Sequence, residues 1–590
     1  MAFYPPSWVP NLPEIPDSIS VADFINTEKA GRRAFDKSKR PYTCGVTGDS
    51  WTAEDVARRV DLLARGLAKN VGFDPNDGTA WDRVVAIYAL NTVNPILPNM
   101  RVDLMTSQID YIPVTHAIHR VDGIVTPASS SHSASELEHQ LRSSGAKALF
   151  TSAPLLSTAF KAASAVGIPK KHVFLLPLPE TPSEESFKTI EDLIAEGKTL
   201  PPLELSPWVP GQGKRQVAYL CYSSGTSGLP KAVMISHYNV IACTLMIHTF
   251  ESVTRAQDNI DTQVALGLLP FSHIYGLVVI AHIAQYRGDE IIVLQRFQLD
   301  QLLAAIQKFR IEQLSVVPPI IVQILSNQDN CKKYNLDSVR LVFSGAAPLG
   351  GETIQKLLEL YPKWRISQGY GLTEASPSVF HTSEADPVLG SSGSLLPGAK
   401  VKIIDQHGAE VTTYETPGEL YVQAPNVVLG YLHNEKANAE TFVHRDDGRW
   451  LRTGDEVLVR KSPRGNDHFF IVDRIKELIK VKGHQVAPAE LEAHLLDHPY
   501  VDDCAVIGIV DERAGEVPLA FIVKSRKTNG LKEEDVVRAV CEHVETHKAR
   551  HKWLKGGVRV LDVVPKSPSG KILRRVLKAQ IKAEKPVAKL

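Results

Sequence analysis

The strongest constraint on the fold is a rhythm: apolar runs of strand length alternate with segments of helical periodicity through most of the 590 residues. Val84-Val-Ala-Ile-Tyr88, Ala148-Leu-Phe-Thr151, Val173-Phe-Leu-Leu176, Gln313-Leu-Ser-Val-Val317 and Leu341-Val-Phe-Ser344 read as strands, and 302–309 as one of the intervening helices. That alternation is the pattern of an α/β architecture with largely parallel sheets. From about residue 401 the texture changes to short strands and Gly/Pro turns, as in Val401-Lys-Ile-Ile404 and Gly418-Glu-Leu-Tyr-Val422, which predicts a smaller β-rich unit. Past Asp473 a compact α+β pattern follows, with helices at 489–496 and 533–543 and strands at 501–510 and 519–524. The chain is too long for one hydrophobic core. We therefore expect a large α/β domain over 1–472 and a smaller α+β domain over 473–590.

Bulk numbers narrow the class. Lys+Arg and Asp+Glu both total 66, so no charge excess suggests a nucleic-acid partner. Cysteines at 44, 221, 243, 331, 504 and 541 have no paired spacing, which argues against a zinc site or a disulfide framework. The N-terminus lacks the basic and apolar regions of a signal peptide. The most apolar window, 266–284, is broken by Pro270, Ser272, His273 and His282, so a buried strand and helix explain it better than a membrane span. The chain stops at Ala588-Lys589-Leu590, a conservative variant of the Ser-Lys-Leu address read by the peroxisomal import receptor. Peroxisomal localisation is the expectation, with the cytoplasm otherwise. One segment does not fit: 93–108 has an irregular period, two prolines and no caps. It reads either as a structured surface loop or as a translated intron, since it begins with codons compatible with GT-AA, ends with one compatible with CAG, and its deletion keeps the frame.

Chemistry enters with Tyr222-Ser-Ser-Gly-Thr-Ser-Gly-Leu-Pro-Lys231. Gly225 and Gly228 let the backbone fold its N–H groups into an anion-binding concavity, and Ser223, Ser224, Thr226 and Ser227 add hydroxyl donors. Lys231 supplies a compact positive charge. The apolar flank Val217-Ala-Tyr-Leu-Cys-Tyr222 argues against a flexible linker. The lysine follows Leu-Pro and precedes alanine, so this is not the P-loop, which needs Gly-Lys-Ser/Thr. A second lysine, Lys571, follows a turn in Pro565-Lys-Ser-Pro-Ser-Gly-Lys-Ile572.

Further motifs repeat the nucleotide theme. Ser344, Gly345, Ala346 and Ala347 follow a strand and are small enough to pass a flat adenine closely. Gln368-Gly-Tyr-Gly-Leu-Thr-Glu374 offers close backbone approach at Gly369 and Gly371, a ring to stack at Tyr370, a hydroxyl at Thr373 and a carboxylate at Glu374. A hard oxygen ligand such as Glu374 suits Mg2+. Asp455, ending Trp450-Leu-Arg-Thr-Gly-Asp455, can accept hydrogen bonds from two ribose hydroxyls.

In this order the motifs resemble the acyl-adenylate-forming superfamily, and within it most closely the 4-coumarate–CoA ligases, from about Val84 to Lys571. The resemblance implies an AMP-forming acid–CoA ligase: a carboxylic acid and MgATP give acyl-AMP and pyrophosphate, then the acyl group passes to coenzyme A. It implies that 223–228 and Lys231 cradle the β- and γ-phosphates, Thr373 contacts the α-phosphate, Glu374 holds magnesium, and Asp455 with Arg474 hold the ribose. Lys571 would bridge carboxylate and α-phosphate in the transition state. His273 would line the acid site and thiol channel. The small domain would swing about Lys476, presenting Lys571 for adenylation and Lys480, Gly483 and Gln485 for thioester formation. The acid pocket would be lined by Tyr275, Val279, Gly369, Gly371, Pro377 and Ser378. The coumarate ligases favour a small polar residue where Val279 stands and an apolar one at Ser378, so the acid is expected to be either aromatic or a medium- or long-chain fatty acid. Two alternatives stay open: adenylation with another acceptor, as in luciferases or carrier loading, and a non-catalytic nucleotide-binding protein on the same fold.

Overall fold

A computed structural model describes residues 2–91, 110–176, 186–223, 230–482, 484–511, 513–567 and 570–584. Ser224, Gly225, Thr226, Ser227, Gly228, Gly483, the segment 93–108 and the C-terminal Ala588, Lys589 and Leu590 lie outside the described residues.

The architecture is mixed α/β in four sheets. The first runs, edge to edge, through Gly430–Tyr431, Lys231–Ser236, Val217–Ser223, Ile124–Ala128, Val84–Tyr88, Ala148–Ser152 and Val173–Leu176. Its last five strands are parallel, and four of them are buried along their whole length. The second runs through Tyr42–Cys44, Glu290–Val293, Val264–Gly267, Gln313–Val316, Leu341–Ser344 and Arg365–Gly371, all parallel, then turns antiparallel at Ser378–His381 and Ser394–Leu395. The reversals have a simple cause. Only residues 224–230 separate Val217–Ser223 from Lys231–Ser236, and only 372–377 separate the other pair, too few for the crossover that parallel pairing needs.

The third sheet is antiparallel and β-rich, joining Lys400–Ile404, Gly418–Gln423, Gly448–Lys461, Phe442–Arg445 and Asp467–Arg474. Ala2–Phe3 completes its edge against Val401 and Lys402, a two-residue strand too short to leave a pattern in the sequence. One hydrophobic core runs continuously beneath these sheets. The apolar window at 266–284 resolves into the strand Val264–Gly267 and a π-helical segment, Tyr275–His282. Among the described residues no helix is long and apolar enough to cross a membrane.

The fourth sheet is built from Ile479–Val481, His484–Val486, Gly515–Lys524, Val501–Asp511 and Val558–Val560. It has its own cores on both faces: Leu491, Leu495, Val536 and Val540 on one, Leu577 and Ile581 on the other. The strand expected from 519 begins at Gly515 and passes through Pro518, whose missing N–H normally marks a strand's end. The helix expected over 533–543 continues to His547.

Candidate active site

The hairpin of Val217–Ser223 and Lys231–Ser236 places Ser223 directly opposite Lys231, so the two ends of the hydroxyl-rich loop are fixed by the ladder. Lys231 lies with its ammonium 4.6 Å from the ring centre of Tyr431. The Tyr431 hydroxyl donates to Glu374 Oε1 at 2.8 Å. Burial and the adjacent Glu374 carboxylate raise the Tyr431 phenol, so it stays a donor at neutral pH. A lysine, a tyrosine and a carboxylate thus form one line across the mouth of the first sheet.

That line is held by the segment 425–432, which sequence reasoning missed. Asn239, in the cap of the helix His237–Gln257, donates to Pro425 O and Val427 O at 2.9 and 3.1 Å. Val428 N donates to Glu374 O at 3.1 Å, and Leu429 N and Leu432 N donate to Met234 O and Ala232 O. Buried Asn426 donates to Ala375 O and to Ser378 O. The only signal available was an asparagine among apolar neighbours, Ala424-Pro-Asn-Val-Val-Leu429.

The second sheet supplies the next wall. Tyr275 OH donates to Phe343 O at 3.2 Å, and a Cβ on Gly345 would come within 3.1 Å of the Tyr275 ring. The loop after Leu341–Ser344 is held by Gln368, whose Oε1 accepts from Leu349 N at 2.9 Å while its Nε2 donates to Ser391 O. Ala346 is exposed and sits at φ 68°, a left-handed conformation that costs an L-residue about 1–2 kcal/mol. Val279 is half-buried and Ala347 and Thr373 are partly exposed. A Cβ at Gly371 would come within 2.1 Å of the Pro377 carbonyl oxygen. The glycine there is required by the close backbone approach within its own hairpin.

At Ser378 the wall becomes polar. Arg287 pairs with Glu251 at 2.7 Å, Glu251 Oε1 lies 3.3 Å from His381 Nδ1, and His381 Nε2 lies 3.3 Å from Ser378 Oγ. Arg287 and His381 hold the Glu251 carboxyl below its usual range despite its burial. An ionised Glu251 only accepts, so His381 Nδ1 donates to it.

Asp455 and Arg474 are cross-strand partners, their side chains 3.5 Å apart. Tyr370 OH donates to Asp455 Oδ2 at 2.6 Å. Burial raises the Asp455 carboxyl, while Arg474, Tyr370 and Lys571 oppose the rise. Lys571 is drawn into the same cleft: burial and the Arg474 charge push its ammonium down to about 8, and Glu477, Asp455 and Glu374 push it back up. His273 is also within reach of the Lys571 field, and burial with that charge pushes its imidazole down to about 4. His273 Nδ1 accepts from Tyr275 N at 3.3 Å, so its proton sits on Nε2. The loop carrying His273 is clamped by buried Asn91, which donates to Leu269 O at 2.7 Å and accepts from Phe271 N at 2.8 Å.

The structure therefore brings Lys231, Glu374, Asp455, Arg474, Tyr370, His273 and Lys571 together. Lys476 is exposed in the turn after Arg474. Lys480 and Gln485 are cross-strand partners, both exposed, on the hairpin of Ile479–Val481 and His484–Val486. The Lys571 loop is tied to the rest of the small domain by Arg574, which pairs at 2.6 Å with both Glu477 and Glu492 and donates to Val506 O.

Residues 103–432 match the model of the AMP-binding enzyme family, and 490–571 match that of the AMP-binding enzyme C-terminal domain. The chain is 37% identical to the acyl-CoA ligase cm3C of Cordyceps militaris over 98% of its own length and 90% of that protein's. It is 39% identical to the acyl-CoA ligase AKT1 of Alternaria alternata over 100% and 99% of the two lengths. Among solved structures it resembles the anthranilate CoA ligase AuaEII in complex with anthranoyl-AMP, with a TM-score of 0.78 at 21% identity over 96% and 99% of the chains.

Proposed function

The chain belongs to the family of AMP-binding enzymes, and from that premise we propose that it is an AMP-forming acid–CoA ligase acting on a carboxylic acid with an apolar aryl or alkyl body. The observation that carries the reading is the cleft in which Asp455 is held by Arg474 and Tyr370 and Glu374 by Tyr431, with the Lys571 loop packed against the large domain where a Cβ on Gly570 would come within 3.1 Å of Val317. A carboxylate oxygen attacks the α-phosphorus of ATP, the bond to the bridging oxygen breaks, and pyrophosphate leaves. The thiol of coenzyme A then loses its proton, its sulfur bonds to the acyl carbon, and AMP leaves.

Each residue has a place in this scheme. Lys231, with the adjoining hydroxyl-rich loop, holds the terminal phosphates. Tyr370 and Asp455 are already hydrogen-bonded, which orients the carboxylate for the ribose hydroxyls. Lys571 opposes the negative charge that grows between carboxylate and α-phosphate, an interaction strongest in the transition state. His273, uncharged at neutral pH, offers Nε2–H as a neutral donor beside the acid. Glu374 fits Mg2+: one oxygen accepts from Tyr431, and among the described residues no hydrogen bond to the other is seen. When bound, the ion neutralises phosphate charge.

The mixed wall of Tyr275, Val279 and Phe343 with Ser378 beside it supports an apolar body for the acid. Relatives named acyl-CoA ligases support coenzyme A as the acceptor. The C-terminal Ala-Lys-Leu supports import into peroxisomes, which a fluorescent fusion with and without those residues tests. The decisive assay is carboxylate-dependent AMP release with MgATP, coenzyme A and a panel of cinnamic, benzoic, phenylacetic and C6–C16 acids. AMP with matching acyl-CoA establishes the reading. AMP without a thioester points to another acceptor, and silence across the panel to the non-catalytic alternative.

A further inference from the structure

Two helices of the small domain, Pro488–Leu496 and Glu533–His547, meet through histidines. His543 and His547 are four residues apart and so share one helix face. His494 reaches them from the other helix, its ring stacked on His543 with centroids 4.2 Å apart. His547 lies 4.9 Å from His543 and 5.5 Å from His494, ring to ring, and His498 adjoins at 5.1 Å from His543. One ligand nitrogen from each of His494, His543 and His547 lies within 4.8 Å of the others.

The hydrogen bonds decide where the protons sit. His494 Nε2 faces His543 O at 3.4 Å, His543 Nε2 faces His494 O at 3.3 Å, and His547 Nδ1 faces His543 O at 2.8 Å. A carbonyl only accepts, so each ring donates one N–H to the backbone and keeps a lone pair on its other nitrogen. Donation of the second ring N–H to a carbonyl is the arrangement that fixes the tautomer of metal-ligating histidines. The surroundings also carry acid. Glu352, on the large-domain helix Gly351–Leu360, lies near Asp497, Lys356, His494 and His543, which together hold its carboxyl below the usual range. The nearby Lys356 and Lys548 are each paired, with Asp497 at 3.5 Å and Glu490 at 3.2 Å.

We propose that His494, His543 and His547 form a site for a divalent transition ion of Zn2+ type, on the face of the small domain that meets the large one. Imidazole ligands select such ions over Mg2+, which takes oxygen. Zn–N bonds of about 2.0–2.1 Å require the three rings to close by roughly an ångström and the stacked pair to fan open. Exposed His547 gives the ion its way in, and water completes the coordination. All three ligands belong to the small domain, whereas Glu352 faces them only in the orientation seen here. By reciprocity of linkage, a bound ion favours that orientation.

The test is titration of the full-length protein with Zn2+ at pH 7.5, and with Co2+ followed by its visible absorption. One equivalent is expected to bind. His547→Ala and His494→Gln should each weaken binding about 10-fold or more, and His547→Ala should leave AMP release unchanged, showing an intact fold. Glu352→Gln should weaken binding by a smaller factor. Failure of the wild type to bind, or unchanged affinity in both histidine variants, overturns the site. Unchanged affinity in Glu352→Gln overturns its coupling to domain orientation.

Discussion

Lys571 and Lys480 belong to one small domain yet live in different surroundings. Lys571 is withdrawn from water beside Arg474, Asp455 and Glu374, where its ammonium falls to about 8. Lys480 stands exposed on a hairpin, opposite Gln485. A charge that has been dehydrated and set among partners acts on the cleft it occupies, whereas an exposed one acts only after its carrier moves. On the proposed mechanism the orientation seen here is that of acyl-AMP formation, and the hairpin waits for the second step.

The sharpest way to break this comparison is Lys571→Ala. Acyl-AMP formation, followed by pyrophosphate exchange, should fall about 10²–10³-fold, the scale for losing one preorganised charge in a transition state. Thioester formation from supplied acyl-AMP should stay within a small factor, and equal loss of both steps would end the division of labour. Next in size is Arg574→Met, which strands two largely buried carboxylates, Glu477 and Glu492. Removing one partner of such a pair costs about 3–5 kcal/mol, of which partial exposure leaves the lower end, read as earlier unfolding of the small domain in hydrogen exchange. Lys480→Ala should invert the first result at smaller scale, slowing the thioester step by about 10-fold, or 1.4 kcal/mol, while pyrophosphate exchange is retained.

The smallest effect concerns pH. Burial and the Glu352 carboxyl push Asp497 up to about 7. An acid whose pKa is raised on docking stabilises the docked orientation at low pH and loses that contribution as pH rises from its ordinary value through about 7. Lys571 acts in the opposite sense in another window, since docking gains only as pH rises from about 8 toward the ordinary lysine value. Scattering or fluorescence transfer between the domains should therefore show the docked fraction declining, without being lost, between pH 5 and 7.5 in the wild type. In Asp497→Asn that trend should flatten; persistence of the full trend would remove Asp497 from the contact.

How much of this was legible beforehand differs between elements. The strands Val84–Tyr88, Ala148–Ser152 and Val173–Leu176 announced themselves, because burial on both faces leaves uninterrupted apolar runs, whereas their neighbour Ile124–Ala128, which contains Pro127, did not. Asp455, Glu374 and Lys571 were visible because charged groups beside glycine turns have a chemical meaning before they have a position. Tyr431, Asn91 and Asn426 were not, since each acts through a long-range hydrogen bond to a distant segment, and no local pattern encodes such a partner. Gly371 was legible as a point of close backbone approach, but its partner, the Pro377 carbonyl across its own hairpin, was not.

Arg574 carries a mechanical consequence. Its grip on Glu477 is one residue from the exposed Lys476, and its other hand holds Glu492. Were the small domain to turn at Lys476, as the resemblance implies, torque there would reach the Lys571 loop through this ion pair, like a crank keyed to its shaft. The withdrawal of one lysine and the arrival of the other would then be a single stroke, which leaves no interval in which both tools, or neither, face the same acyl group.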